Sequence, residues 1–297
     1  MKYSFSVIIP HKNIPSLLQR CLDSIPCRED LQVIIVDDNS DPSKVDFEHF
    51  PGLNRSNSRV IFTKEGKGAG YARNVALKEA DSKWVLFADA DDFYSENLNT
   101  FLDKYKDTDY HTVYFYNDTV DNDTLKPVDE DKFVESLLKE CEAKHDMGAL
   151  RYKAYAPWTK MTQLSLIRRH NLWYQEIKAS NDSLFNVMVG HFADNFDIYK
   201  EVVYMRTIRR GSLAHTISAA NNLARLNCGY KVNEFLKEYA PERLHDFHSE
   251  TWGHFCDLRK ISWLLFLKVA PVYFYKTPSF IIYDHLKNLV RRKARLF

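Results

Sequence analysis

Five cysteines, Cys21, Cys27, Cys141, Cys228 and Cys256, are odd in number, scattered over 297 residues and without a C-x-x-C pair. That argues against a disulfide framework or a cysteine zinc site and fits a reducing cytoplasm. Lys and Arg number 41 against 40 Asp and Glu, so no global field favours nucleic acid. The histidines show no metal-ligand spacing. No stretch matches G-x-G-x-x-G or G-x-x-x-x-G-K-[ST], which leaves a dinucleotide-binding turn and a P-loop without support. Long apolar runs are missing as well. The N-terminal MKYSFSVIIPHKN stops at Pro10 and reads as a first strand rather than a signal peptide. The aromatic stretch from Ile261 to Tyr283 is broken by Lys268, Pro271, Lys276 and Pro278, whereas a spanning helix needs about 20 largely apolar residues.

What is present is a soluble globular composition, 27% charged and 45% hydrophobic, long enough for a substantial core. Phe5–Pro10 (FSVIIP) reads as a buried parallel strand. Ile14–Ile25 spaces its apolar residues as a helix, with Pro15 in the first turn and Asn13 as a cap. Leu31–Val36 and Val60–Thr63 read as strands. The glycine-rich turn Gly66–Gly70 leads into a helix over Tyr71–Ala80. Trp84–Phe93 (WVLFADADDF) is a strand that runs into acids. This alternation specifies an α/β protein with helices on both faces of its sheet. Further on, a helix is expected at Asn97–Tyr105, a strand at His111–Tyr116 and an acidic loop over Asn117–Asp131. Helices are expected at Phe133–Glu142, Trp158–Ile167 and Asp182–Val189, and a strand at Ile198–Met205. From Ile217 the pattern is helical, with breaks near Pro241, Pro271 and Pro278. The expected division is a sheet domain over 1–216 and a helical extension over 217–297.

Two strands end in acids, Asp37-Asp38 and Asp89-Ala90-Asp91-Asp92, at the carboxyl edge where open α/β sheets bind ligands. If the second strand stays extended, Asp89 and Asp91 share a face and Asp92 points elsewhere. Converging carboxylates call for a cation, and oxygen-only ligation suits Mg²⁺ or Mn²⁺ holding substrate phosphates. Asp37 and Asp38 are placed to accept hydrogen bonds from a base or a ribose, and Arg73 to meet a base or diphosphate. Surface pairing for Arg73 and backbone bracing for Asn74 are the plain alternatives.

SVIIPHKN, VIIVDDNS, KGAGYARNVAL and WVLFADADDF, in this order and spacing, resemble family 2 glycosyltransferases of GT-A fold, a bacterial-type surface-glycan group. The resemblance is strong over residues 4–95 and loose over 150–215. It implies a mixed, mostly parallel sheet flanked by helices, with a helical C-terminal extension. It implies an inverting transferase using a nucleotide-diphosphate sugar, most readily a UDP-sugar, and a divalent metal, Mn²⁺ or Mg²⁺. The nucleotide-sugar contacts it implies fall on Pro10, Asp37, Asp38, Gly68, Arg73, Asn74, Asp89 and Ala90. The metal falls on Asp91 with Asp89. A later Glu-Asp pair of the family, whose Asp is the catalytic base, falls on Asn181-Asp182. Here Asn replaces the Glu, removing a like charge beside Asp182; a plain helix cap is the competing role for Asp182. Trp158, Arg209, Arg210 and His215 fall on the acceptor or diphosphate side, where a core tryptophan and surface charge are the plain alternatives.

The implied acceptor is a glycan or a lipid-linked saccharide. Aromatic residues followed by the basic Lys287, Arg291, Arg292, Lys293 and Arg295 suit a peripheral contact with the inner face of an anionic membrane, or else helices packed on the main domain. Two other functions stay open. A GT-A-like subunit that binds nucleotide-sugar or glycan without turnover would suit Asn181. A sugar nucleotidyltransferase would want a glycine-rich loop after the first strand, where Pro10-His11-Lys12-Asn13 offers none.

Overall fold

A computed structural model describes residues 1–128, 133–144, 147–209, 218–277 and 282. The chain divides into two compact units, Met1–Ser212 and Leu213–Phe297.

The first unit is built on an eight-stranded sheet. In chain order its strands are β1 (Tyr3–His11), β2 (Leu31–Asp38), β3 (Ser58–Thr63), β4 (Ser82–Phe87), β5 (Phe93–Tyr94), β6 (Thr112–Asp121), β7 (Lys160–Gln163) and β8 (Phe196–Ile208). The spatial order is β3-β2-β1-β4-β7-β6-β8-β5, parallel from β3 to β4 and mixed beyond. The helices are α1 (Pro15–Asp23), α2 (Ala69–Glu79), α3 (Leu98–Tyr105), α4 (Phe133–Lys144), α5 (Gly148–Lys153), α6 (Leu164–Arg169) and α7 (Ser183–Phe192).

The near-continuous apolar runs of β1, β2 and β4 follow from burial on both faces. Successive side chains point to opposite sides, so Phe5, Val7 and Ile9 join one core with Leu18 and Leu22 of α1 and Phe101 of α3. Ile8, Ile34, Val36, Val85 and Phe87 face the other way and join Ala72 and Ala76 of α2, Ile167 of α6 and Phe185 of α7. The register then aligns the functional edge. His11 sits opposite Asp37, and Ile8 opposite Phe87, so the ends of β1, β2 and β4 open on one side.

Four expectations need correction. Asn13 does not cap α1: it has a left-handed backbone, φ +61°, and its Oδ1 accepts the Asp41 N–H at 2.7 Å. The loop expected from Asn117 begins later, because β6 continues to Asp121 in parallel pairing with β8. Its polar composition reads as a turn, but ladder pairing and the burial of Val120 override that. Trp158–Ile167 is not one helix; a 3₁₀ turn at Pro157–Thr159 is followed by β7 and then α6. Met161 is placed as a strand residue by pairing with Leu86 on one side and Val113 on the other. In the second unit, which contains α8 (Ala219–Tyr239), α9 (Leu244–Ile261) and α10 (Trp263–Lys276), Pro271 lies inside α10 rather than breaking it. It sits on the exposed side of that helix, and its neighbours Val269, Ala270 and Tyr273 pack with α8 and α9 residues. Pro278 and the basic tail fall outside the described residues.

Candidate active site

Asp37 and Asp38 end β2 but turn into the protein. The Asp37 carboxylate accepts from His11 Nδ1 at 2.7 Å and from the Ser40 N–H at 3.0 Å, and is 1% exposed. The Ile14 N–H donates to His11 Nε2 at 3.1 Å, so the ring carries its hydrogen on Nδ1. Burial pushes Asp37 up, but the His11 and Ser40 hydrogen bonds outweigh it and hold the carboxyl below its usual range. Asp38 accepts the Lys67 N–H at 3.2 Å and the Gly68 N–H at 2.5 Å, tying β2 to the glycine turn that starts α2. Gly68 stands at φ +97°, a conformation that disfavours a side chain. Pro10, paired with Val36, and His11 complete this edge. His11 lies within the SVIIPHKN motif, but the sequence gives it no role of its own.

The acids after β4 separate. The strand stops at Phe87 and Asp89–Asp92 form a turn closed by the Asp92 N–H on the Asp89 carbonyl, 3.0 Å, so the two-residue alternation of a strand does not apply. Asp89 receives Arg73 Nη2 at 2.5 Å. Asp91 receives Arg209 Nε at 2.9 Å, and Arg20 Nη2 clasps its carbonyl. Asp92 is 3% exposed and accepts from Tyr204 Oη at 2.9 Å and the Thr207 N–H at 2.7 Å, so it fixes the turn to β8. Ala90 is buried between them. Burial raises Asp89, with Arg73 opposing the rise. Asp89 and Asp91 keep 35% and 23% of their side chains exposed.

Helix α2 locks this edge to the segment that carries Asp182. Arg73 is buried: one guanidinium nitrogen holds Asp89, another donates to Asn181 Oδ1 at 2.9 Å, and the group lies over the Tyr174 ring at 5.2 Å. Asn74 clamps the backbone of Tyr174 twice, donating to its carbonyl at 3.0 Å and accepting its N–H at 2.9 Å. One turn earlier, Gly70 lets the chain approach so closely that a Cβ there would lie 2.1 Å from the Gln175 carbonyl oxygen. Ser180, at φ +53°, turns the chain into Asn181 and Asp182.

Asp182 occupies the N-cap position of α7, yet its side chain makes no capping hydrogen bond. Burial raises its carboxyl, opposed by Arg73 and Lys160. Lys160 is a residue that the sequence did not single out. It is 3% exposed, donates to the Ala154 carbonyl at 2.7 Å and to Asn186 Oδ1 at 2.8 Å, and burial lowers it to about 7. Asn186 in turn donates to the Asp182 carbonyl at 3.0 Å.

The structure thus brings Arg73, Asp89, Asn181 and Asp182 together and sets Arg209 on Asp91. Trp158 is buried, and its ring stacks on Tyr204 at 5.1 Å within the core. Arg210 and His215 lie outside the described residues. Among the described residues, no group of three or more His, Cys, Asp or Glu is arranged as a metal cage.

The chain belongs to glycosyl transferase family 2, whose model matches residues 6–202. It is 27% identical over 214 residues to the poly(ribitol-phosphate) β-N-acetylglucosaminyltransferase TarS of Staphylococcus aureus (strain Mu50), covering 69% of this chain and 36% of that protein. The chain therefore spans about a third of the length of that curated relative. In structure it resembles S. aureus TarS 1–349 in complex with UDP-GlcNAc, with TM-score 0.69 and 20% identity over 94% of this chain and 82% of that one. It also resembles the mannosyltransferase PcManGT of Pyrobaculum calidifontis in complex with GDP-Man and Mn²⁺, with TM-score 0.55 and 16% identity over 100% of this chain and 81% of that one. The architecture is GT-A-like, a mixed sheet with flanking helices and a helical C-terminal region, as the sequence motifs implied.

Proposed function

We propose that this chain transfers a sugar, with inversion, from a nucleotide-diphosphate sugar to an acceptor hydroxyl. Family membership and the TarS likeness favour a UDP-sugar as donor and a surface polymer or lipid-linked saccharide as acceptor. The observation that carries the reading is the Arg73 bridge. It joins Asp89 of the donor edge to the Asn181-Asp182 elbow, so a donor acid and an uncapped carboxylate belong to one site.

Asp182 is the base. Its carboxylate takes the proton of the acceptor hydroxyl as that oxygen bonds to the anomeric carbon and the bond to the diphosphate oxygen breaks. A carboxyl raised by burial is a stronger base than an exposed one, which suits this step. Arg73 holds the base segment against the donor edge, and Arg209 presents positive charge toward the leaving diphosphate. The residues fit a divalent ion: Asp91 and Asp89 offer partly open oxygen donors, few enough that substrate phosphates would complete the shell. When bound, Mn²⁺ or Mg²⁺ supplies Lewis-acid neutralisation of the leaving diphosphate. The turnover reading is favoured over a binding-only subunit because Asn181 still accepts from Arg73, so loss of the family's Glu leaves the elbow tethered.

We also propose a cytoplasmic protein held peripherally at the inner face of the membrane; no helix among the described residues is long and apolar enough to cross one. The deciding experiment is transfer and donor binding by Asp182→Asn. Lost transfer with retained UDP-sugar stabilisation supports the base; unchanged transfer removes it.

A further inference from the structure

Helix α10, WLLFLKVAPVYFYK, is apolar on two sides. One side closes the core of the second unit: Tyr273 is fully buried and stacks on Phe255 of α9 at 4.1 Å, and Phe266 meets Phe255 at 4.6 Å. The other side is open. Trp263 and Leu267 are each 61% exposed, Leu264 80% and Tyr275 90%. No acid occurs in the helix, whose only charges are Lys268 and Lys276, the latter 3.4 Å from Glu234 of α8. Arg259 of α9 lies over the Trp263 ring at 5.6 Å, so the open face is bordered by cations. Onward in sequence come the five basic residues from Lys287 to Arg295.

We propose that this outward face of α10 is a docking surface for an anionic lipid bilayer, a proposal that rests on the peripheral reading above and names the surface responsible. Fourteen residues of helix span about 21 Å, short of a hydrocarbon core of about 30 Å, so the helix lies in the interface and does not cross it. Leu264 and Leu267 enter the acyl boundary, while Trp263 and Tyr275 supply amphipathic rings suited to headgroup depth. Charge decides between lipid and a second copy of the chain. Two such faces meeting would bring Lys268 and its cationic neighbours together, whereas an anionic leaflet complements them.

The test is co-sedimentation of the full chain with vesicles of phosphatidylglycerol or of phosphatidylcholine, beside a Leu264→Asp/Leu267→Asp variant. Both leucines are exposed, so the variant keeps its fold, checked by unchanged helical circular dichroism and an unchanged melting profile. The expected result is binding to phosphatidylglycerol vesicles that weakens with salt and falls at least about tenfold in the variant. Equal binding by the variant, or equal binding to both lipids, would overturn the proposal. So would a wild-type dimer in solution that the variant dissociates, which would make a second copy the occupant. Transfer to a soluble acceptor is read separately, so loss of lipid binding and loss of the catalytic reading are distinct outcomes.

Discussion

Replacing Gly70 by alanine would set a methyl carbon 2.1 Å from the Gln175 carbonyl oxygen and 3.0 Å from Asn181 Cβ, where real Cβ contacts essentially never fall below 3.0 Å. The obstructing atom is backbone, so no side-chain rotation relieves the overlap. The Tyr174–Asp182 segment must withdraw from α2 by about 1 Å, a misplacement that can cost on the order of 10²-fold in rate. Alanine is the better helix former by up to about 1 kcal/mol, so any loss of stability comes from the contact and not from α2 itself. Overpacking of this kind costs about 1–3 kcal/mol, and the net fall in Tm should be a few degrees. The assay is transfer rate beside donor-dependent thermal stabilisation. Asp37, Asp38 and Asp91 lie off the displaced segment, so stabilisation by UDP-sugar should persist while kcat drops about a hundredfold. A Gly70→Ala protein with wild-type transfer would refute the reasoning, because it would show that the base segment is not held in register by α2.

Asp182→Asn should lower kcat by about 10²–10⁴-fold with donor stabilisation intact. In the wild type, transfer should rise with pH through an apparent value above the ordinary carboxylate range of about 4, since Asp182 is raised by burial and must be unprotonated to act; an acid limb at the ordinary value would contradict this. Chelation by EDTA and Asp91→Ala should each abolish most transfer, with Mn²⁺ restoring only the chelated wild type; transfer that survives both would dismiss the metal role. His11→Leu should cost about 2–3 kcal/mol in denaturant unfolding near neutral pH by stripping a buried hydrogen bond from the charged Asp37. Because Asp37 is depressed in the folded state, that stabilisation is present above its unfolded pKa and is lost as pH falls. The deficit of the variant should therefore shrink on acidification, and a constant deficit would place the effect in packing.

The strands β1, β2 and β4 were legible because burial on both faces writes itself as continuous apolar runs, and the acids at their ends were legible as a candidate site. β7 was not. Its four residues, Lys160–Gln163, have no strand periodicity, and only pairing with β4 and β6 makes them one. Lys160 is illegible for a related reason: its ammonium is satisfied largely by backbone carbonyls, which no side-chain motif records. For Arg73 the sequence offers a candidate site role but not the bridge it forms, since its partner Asn181 lies 108 residues away in the chain.

The acids of the site were also told apart by their partners and not by their spacing. Asp37 is held by His11 and Ser40, and Asp38 by the amides of the glycine turn. Asp92 is held by Tyr204 and Thr207. Each of these is buried on donors of the fold, and each fixes a loop. Asp89 and Asp91 have arginine partners but remain partly open, so an incoming diphosphate or cation can compete for them. Asp182 sits at a helix start with no capping hydrogen bond and a carboxyl raised by burial, the combination that the proposed base role calls for. The division of labour among carboxylates that a run of aspartates leaves ambiguous therefore follows from which donors the fold has already committed.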